Sequence, residues 1–179
     1  MGFRLSAARK PAEVFEIESP YAGRLAVCMR PRGGMWLADD IRRLRTDGWD
    51  VLVSALMPGE VAELHLGAAP RLCNDHGVEF FSFPIGNLQV PLVDHAATHF
   101  DLLRGHLSAG RNVAAHCHGS IGRSPLIIAS LLVLAGVATD EAWSRIRTAR
   151  GEQVPDTYEQ RDWIERYVSI GNTGFRPRA

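Results

Sequence analysis

Hydrophobic and polar positions follow two rhythms along the chain. Short apolar runs at Val14–Ile17, Leu25–Met29, Val51–Leu56, Val78–Phe83 and Val113–His116 have the length of buried strands. Between them lie segments with helical spacing. Ile41 and Leu44, with arginines on the other face, predict a helix over 39–46 that ends at Gly48. Val61, Leu64 and Leu66 after Pro58 predict a second, in a unit closed by Gly77. Pro84 to Pro91 reads as a loop, and a helix follows over 92–107. Pro125–Leu134 is an apolar helix, and two more fit 139–149 and 156–169, with Thr139 and Asp156 as their N-caps. Alternating β and α units predict an α/β fold: a mostly parallel central sheet flanked by helices on both faces. A single domain is expected over residues 1–170, with a flexible tail over 171–179, where two glycines and Pro177 fall. Ligands of such sheets gather at the carboxyl ends of the strands.

Composition narrows the function classes. The 179 residues are 46% hydrophobic and 22% charged, enough for a core that needs neither metal nor disulfide. A formal net charge of zero argues against bulk binding to nucleic acid or to an anionic membrane, so neither is expected as a partner. Lys10 is the only lysine; the arginine excess suits oxyanion contacts but is first of all a composition bias. Charges at Arg4, Arg9, Lys10, Glu13 and Glu16 argue against a signal peptide, and the apolar stretch Leu126–Ala138 is too short to span a bilayer. Three widely spaced cysteines, Cys28, Cys73 and Cys117, fit a reducing compartment. A cytoplasmic protein is the expectation.

The chemistry concentrates in residues 116–124, where His116 and Cys117 precede His118, Gly119, Ser120, Ile121 and Gly122, then Arg123 and Ser124. This places a cysteine at the end of a buried strand and an arginine six positions on, at the start of an apolar helix. A loop of small residues turns successive backbone N–H groups inward, with Gly119 and Gly122 expected to supply the φ values and close approach. The helix N-terminus aims at the same point, and Arg123 offers a planar fork for two oxygens. A phosphate dianion, or sulfate or vanadate in its place, fits there. The same field is expected to hold the Cys117 thiol well below its free value of about 8.5. Ser124 is placed to donate to the sulfur. Phosphoryl transfer to a cysteine nucleophile follows, with no metal and no cofactor required.

The run His116-Cys117-x5-Arg123-Ser124 resembles the signature loop of the cysteine-dependent protein tyrosine phosphatase superfamily. Val51–Leu56 with Glu60 resembles the strand and turn of its compact dual-specificity branch. Phe83-Pro84-Ile85 resembles the start of that branch's mobile acid loop. Asp156-Thr157-x-x-Gln160 resembles the Gln-Thr-x-x-Gln segment that positions water in larger tyrosine phosphatases. The resemblance implies a phosphomonoester hydrolase acting on phosphorylated protein through a phosphocysteine on Cys117.

Two departures matter. Asn87 stands where the family's acidic loop carries its general-acid aspartate, and an amide cannot protonate a leaving group. Three readings stay open: a loss that leaves a phosphoprotein-binding module with weak turnover, a substitute carboxylate with Asp156 first and Asp94 second, or a shifted correspondence in the loop. Asp156 replaces the first glutamine of the water-positioning segment, which makes it an acid or base candidate as well as a helix cap. The signature loop lacks the lysines of phosphoinositide-specific relatives. Rhodanese-like and arsenate-reducing enzymes share a Cys-x5-Arg loop, but the mid-chain position and the Phe-Pro-Ile strand argue against them. His116 reads as a buried support of the loop. His95 and His99, four apart, read as an ordinary helix face rather than a metal pair. Cys28 sits on a strand that neighbours the Cys117 strand, which raises a reversible disulfide between them. The clusters Arg30-Pro31-Arg32 and Arg42-Arg43 read as solvated faces.

Overall fold

A computed structural model describes residues 11–174. Five strands, β1 (Val14–Ile17), β2 (Leu25–Cys28), β3 (Val51–Ser54), β4 (Glu79–Ser82) and β5 (Val113–His116), form one sheet in the order β1-β2-β5-β3-β4. Only β1 runs antiparallel to its neighbour; the other pairings are parallel, as the alternating units require. Seven helices cover the sheet: α1 (Leu37–Thr46), α2 (Pro58–Glu63), α3 (Ala69–Asp75), α4 (Val93–Ser108), α5 (Arg123–Leu134), α6 (Thr139–Arg150) and α7 (Tyr158–Gly174).

Strand alternation splits the core in two. Val27, Val53, Ala115 and Cys117 face one layer, filled by Phe100, Leu103, Ile127, Leu131, Trp143 and Ile164 from α4 to α7. Ala26, Cys28, Leu52 and Ala114 face the other, filled by Leu37, Ile41 and Leu44 of α1 and Cys73 of α3. α1 shows why its sequence is helical: Leu37, Ile41 and Leu44 share one buried face, Asp39 and Asp40 sit in the first turn and Arg43 and Arg45 in the last. α5 is buried almost throughout, from Arg123 to Leu132, which accounts for its lack of a polar face.

Several boundaries differ from the sequence reading. The expected single helix after Pro58 is two. His65 takes a left-handed φ of 55°, which breaks the run after α2, and Pro70 then opens α3 in its first turn. Thr139 is the first helical residue of α6 rather than its cap; Ala138 holds the extended cap position. α7 starts two residues later than expected, with Thr157 as its cap. The Gln160 N–H donates to Thr157 Oγ1 (3.1 Å) and the Thr157 N–H to Gln160 Oε1 (3.3 Å), a reciprocal capping box that leaves Asp156 outside the helix. α7 also continues through Gly171 to Gly174, and residues 175–179 of the expected tail lie outside the described residues, as do residues 1–10. No helix among the described residues is long and apolar enough to cross a membrane.

Candidate active site

The centre of the sheet delivers Cys117. β5 is hydrogen-bonded on both sides, to β2 and β3, and ends at His116. The chain then turns through 117–122 into α5. Cys117 is buried, and its Sγ accepts from the Ser120 N–H at 3.2 Å and from Ser124 Oγ at 3.4 Å. The left-handed residue of the loop is Ser120 (φ 59°), not Gly119 or Gly122 as expected. Its conformation is fixed from three directions: its N–H points at the sulfur, its Oγ donates to the Cys28 carbonyl at 2.6 Å, and its carbonyl accepts from Arg150 Nε at 3.0 Å. Arg30 likewise donates to the His118 carbonyl. The loop thus has two of its carbonyls tied to arginines, one from the segment after β2 and one from α6.

Gly122 is needed for room. A Cβ there would lie 2.2 Å from Asp156 Oδ2 and 2.8–2.9 Å from the Gln160 amide. The start of α7 therefore packs directly on the loop, bringing Asp156 to the site as the sequence reading required. The cap assigned to Asp156 is corrected by the Thr157 capping box.

Arg123 is almost fully buried. Two of its nitrogens grip the Glu60 carboxylate at 2.7 and 2.8 Å, and one also donates to the Ile85 carbonyl at 3.0 Å. Glu60 Oε2 in turn accepts from the Met57 N–H at 2.9 Å. The ion pair with Arg123 holds the Glu60 carboxyl below its ordinary range, against the opposing effect of burial. Burial works against the Arg123 charge, but Glu60 and the neighbouring Cys117 sulfur outweigh it and raise its pKa. This partner, 63 residues upstream, has no spacing signal in the sequence.

His116 is a buried support. Burial pushes it down to about 4, with the charges of Arg30 and Arg123 adding to the effect, so the ring is neutral at pH 7. Its Nδ1 lies 3.5 Å from the Cys117 carbonyl.

Over these groups lies a cavity of about 590 Å³, lined by Cys117, His118, Gly119, Ile121, Arg123, Asn87 and Asp156 together with Met57, Glu60, Glu63 and Leu88. Asn87 and Leu88 form the tip of a turn closed by the Gln89 N–H on the Gly86 carbonyl (3.0 Å), with Leu88 left-handed at φ 59°. Gln160 Nε2 donates to the Gln89 carbonyl at 3.2 Å, tying this turn to α7. Asp94, in the first turn of α4, does not line the cavity.

The remaining candidates have structural partners. His99 Nδ1 and Nε2 lie against the carbonyls of His95 (2.8 Å) and Ser82 (3.1 Å), and its ring stacks on Phe83. Arg32 pairs with buried Asp40 at 2.6 Å and lies over Trp36; Arg42 and Arg43 pair with Asp39 and Asp47. The three cysteines are free. Cys28 faces the layer of α1 while Cys117 faces the opposite one, and burial first, with Cys117 second, pushes the Cys28 thiol up to about 12.

A cysteine cradled at the end of a central parallel strand, with an arginine opening the next helix, defines a phosphatase domain of the cysteine-dependent protein tyrosine phosphatase superfamily, of dual-specificity type. Residues 27–137 match the family model described as polymorphic toxin system, DSP-PTPase phosphatase, and the chain belongs to that family. Solved structures of the same fold include kinase-associated phosphatase with its catalytic cysteine replaced by serine, at 18% identity and a TM-score of 0.85, covering 93% of this chain and 99% of that one. Tk-PTP in its active form aligns at 22% identity and 0.69, covering 82% and 92%. PTPMT1 in complex with PI(5)P aligns at 16% identity and 0.67, also covering 82% and 92%. No curated protein sequence matches this chain.

Proposed function

We propose that the protein hydrolyses phosphomonoesters, aryl esters such as phosphotyrosine first, through a phosphocysteine on Cys117. The observation that carries the reading is the pair of donors, Ser120 N–H and Ser124 Oγ–H, converging on Cys117 Sγ at the base of an open cavity. Donors aimed at sulfur favour a thiolate as nucleophile and, later, as leaving group. The thiolate attacks phosphorus in line as the P–O(aryl) bond breaks. The backbone of His118, Gly119, Ser120, Ile121 and Gly122 with the Arg123 guanidinium takes up the charge on the equatorial oxygens. Water then cleaves the P–S bond, releasing inorganic phosphate and the thiolate. Loop dipoles and Arg123 supply the positive field, so neither metal nor cofactor enters a step.

Asp156 is the candidate acid for the leaving oxygen and base for the attacking water, since Asn87 shares the cavity but has no proton to give. A phenolate, with pKa about 10, leaves far more readily than an alkoxide, which favours phosphotyrosine where the acid loop lacks its carboxylate. Kinase-associated phosphatase supports a phosphoprotein substrate by fold, and PTPMT1 with PI(5)P an inositol lipid. The cavity lining, with no lysine, favours the former. We place the activity in the cytoplasm.

The test is phenyl phosphate hydrolysis with EDTA present. Turnover that survives EDTA, vanishes in Cys117→Ser and loses its basic limb in Asp156→Asn is expected. Vanadate binding without any turnover would leave a binding module with Asn87 as its cause.

A further inference from the structure

The cavity over Cys117 is poor in positive charge. Among the described residues its lining holds one arginine, Arg123, one histidine, His118, and three carboxylates, Glu60, Glu63 and Asp156. Arg123 is already paired with Glu60. Glu63 is exposed on α2 beyond that pair, and Asp156 is exposed beside Gly122. Arg30 and Arg32 line a different hollow of about 200 Å³ with Trp36 and Leu64, where Arg30 serves the His118 carbonyl and Arg32 serves Asp40. The lining also carries Asn87 and apolar side chains: Met57 and Leu88 are 40% and 53% exposed, and Ile121 is partly buried.

From this lining we infer that the site selects phosphotyrosine segments flanked by arginine or lysine and rejects polyanionic substrates. The inference rests on the phosphatase reading above and adds the charge of the substrate around the phosphate. The phosphate itself is met by groups that act at contact range: inward N–H dipoles, the α5 N-terminus and Arg123. A charge one or two residues from the phosphotyrosine lies beyond those dipoles, where it feels the charged side chains of the lining over a Debye length of about 8 Å at physiological salt. There, among the described residues of the lining, it meets the Glu63 and Asp156 carboxylates, the other charged or titratable side chains being His118, Cys117 and the Glu60–Arg123 pair. Met57 and Leu88, both exposed in the lining, offer an aryl ring apolar surface. An inositol headgroup with several phosphates would bring further negative charge against the same carboxylates, with no lysine to receive it.

The experiment compares kcat/KM for two phosphotyrosine peptides identical except for arginine or glutamate on both sides of the phosphotyrosine, with phenyl phosphate as the reference that has no flanking charge. The basic peptide is expected to lead by about tenfold at low salt, and the lead to shrink toward unity near 0.5 M salt as screening shortens. Glu63→Gln is expected to reduce the ratio. Equal rates, a preference for the acidic peptide, or a ratio unmoved by Glu63→Gln overturns the inference. Absence of turnover on all three substrates would sink the phosphatase reading instead. The flanking charge is then ranked by calorimetric affinity of the same peptides for Cys117→Ser, where tighter binding of the basic peptide supports the inference and equal or reversed affinities overturn it.

Discussion

Replacing Gly122 by alanine isolates the contact between the signature loop and α7. The backbone at Gly122, φ −102° and ψ −74°, is one that alanine accepts, so the change adds a methyl group and little conformational strain. That methyl would stand 2.2 Å from Asp156 Oδ2, where ordinary contact begins near 3.4 Å, so the carboxylate must retreat by about 1 Å. Gln160 cannot step aside cheaply, because it is fully buried and bonded to Thr157 and to the Gln89 carbonyl. Overpacking of this kind costs about 1–3 kcal/mol in stability. A misplacement of about 1 Å in a reacting group costs on the order of 10²-fold in rate. The assay is kcat/KM on phenyl phosphate for the wild type, Gly122→Ala, Asp156→Asn and the double variant, with thermal unfolding alongside. If Asp156 transmits the effect, the double variant is little slower than Asp156→Asn alone. Losses that multiply independently would refute Asp156 as the displaced reacting group.

His116 makes folding sensitive to acid. Its folded value of about 4 lies below the unfolded value of about 6.5, so the unfolded chain takes up a proton first, and stability declines as pH falls from 6.5 toward 4, by about 3 kcal/mol in all; urea unfolding at pH 7, 5.5 and 4.5 should show this decline and His116→Asn should flatten it. Glu60→Gln removes the charged partner of Arg123, a hydrogen bond of the class worth about 1.5–3 kcal/mol, so kcat/KM should fall about 10–100-fold and the inhibition constant of phosphate should rise; an unchanged constant would show that the Ile85 carbonyl alone holds the guanidinium. Asn87→Asp should accelerate alkyl phosphates more than aryl phosphates, because a proton donor matters most for the poorer leaving group; no gain on either class would place Asn87 away from the leaving oxygen.

The parts of this molecule that could be read in its sequence are those set by local pattern. β2, β3 and β5 show as apolar runs because these strands are covered on both faces, while β1 and the edge strand β4 are only partly buried, and the cradle shows because Cys117, Arg123 and Ser124 must fall at fixed steps around one turn. The break between α2 and α3 was hidden: Val61, Leu64 and Leu66 continue a helical rhythm across His65, whose left-handed turn has no residue signature. α3 was hidden by Pro70, which reads as a breaker although it occupies the first turn, where a proline is tolerated. The cap of α7 was legible in principle, since Thr157 followed three residues later by Gln160 is the capping-box pattern. Arg30 and Arg150 reach the loop from distant segments with nothing in their local sequence to mark the destination, and Glu60, noticed only through its resemblance to a family turn, carries no sign of its pairing with Arg123.

Strand order also assigns different clocks to the two halves of the site. Cys117 hangs from β5, which is paired on both sides in the middle of the sheet, so its amides open to exchange only with the most costly unfolding of the domain. Asn87 follows β4, an edge strand paired on one side only; among the described residues its turn is held at its entry by Arg123 on the Ile85 carbonyl and at its exit by the Gln160–Gln89 bond. Amide hydrogen exchange should therefore separate slow amides around Cys117 from fast ones around Asn87, and the turn can open while the Cys117 loop keeps its shape.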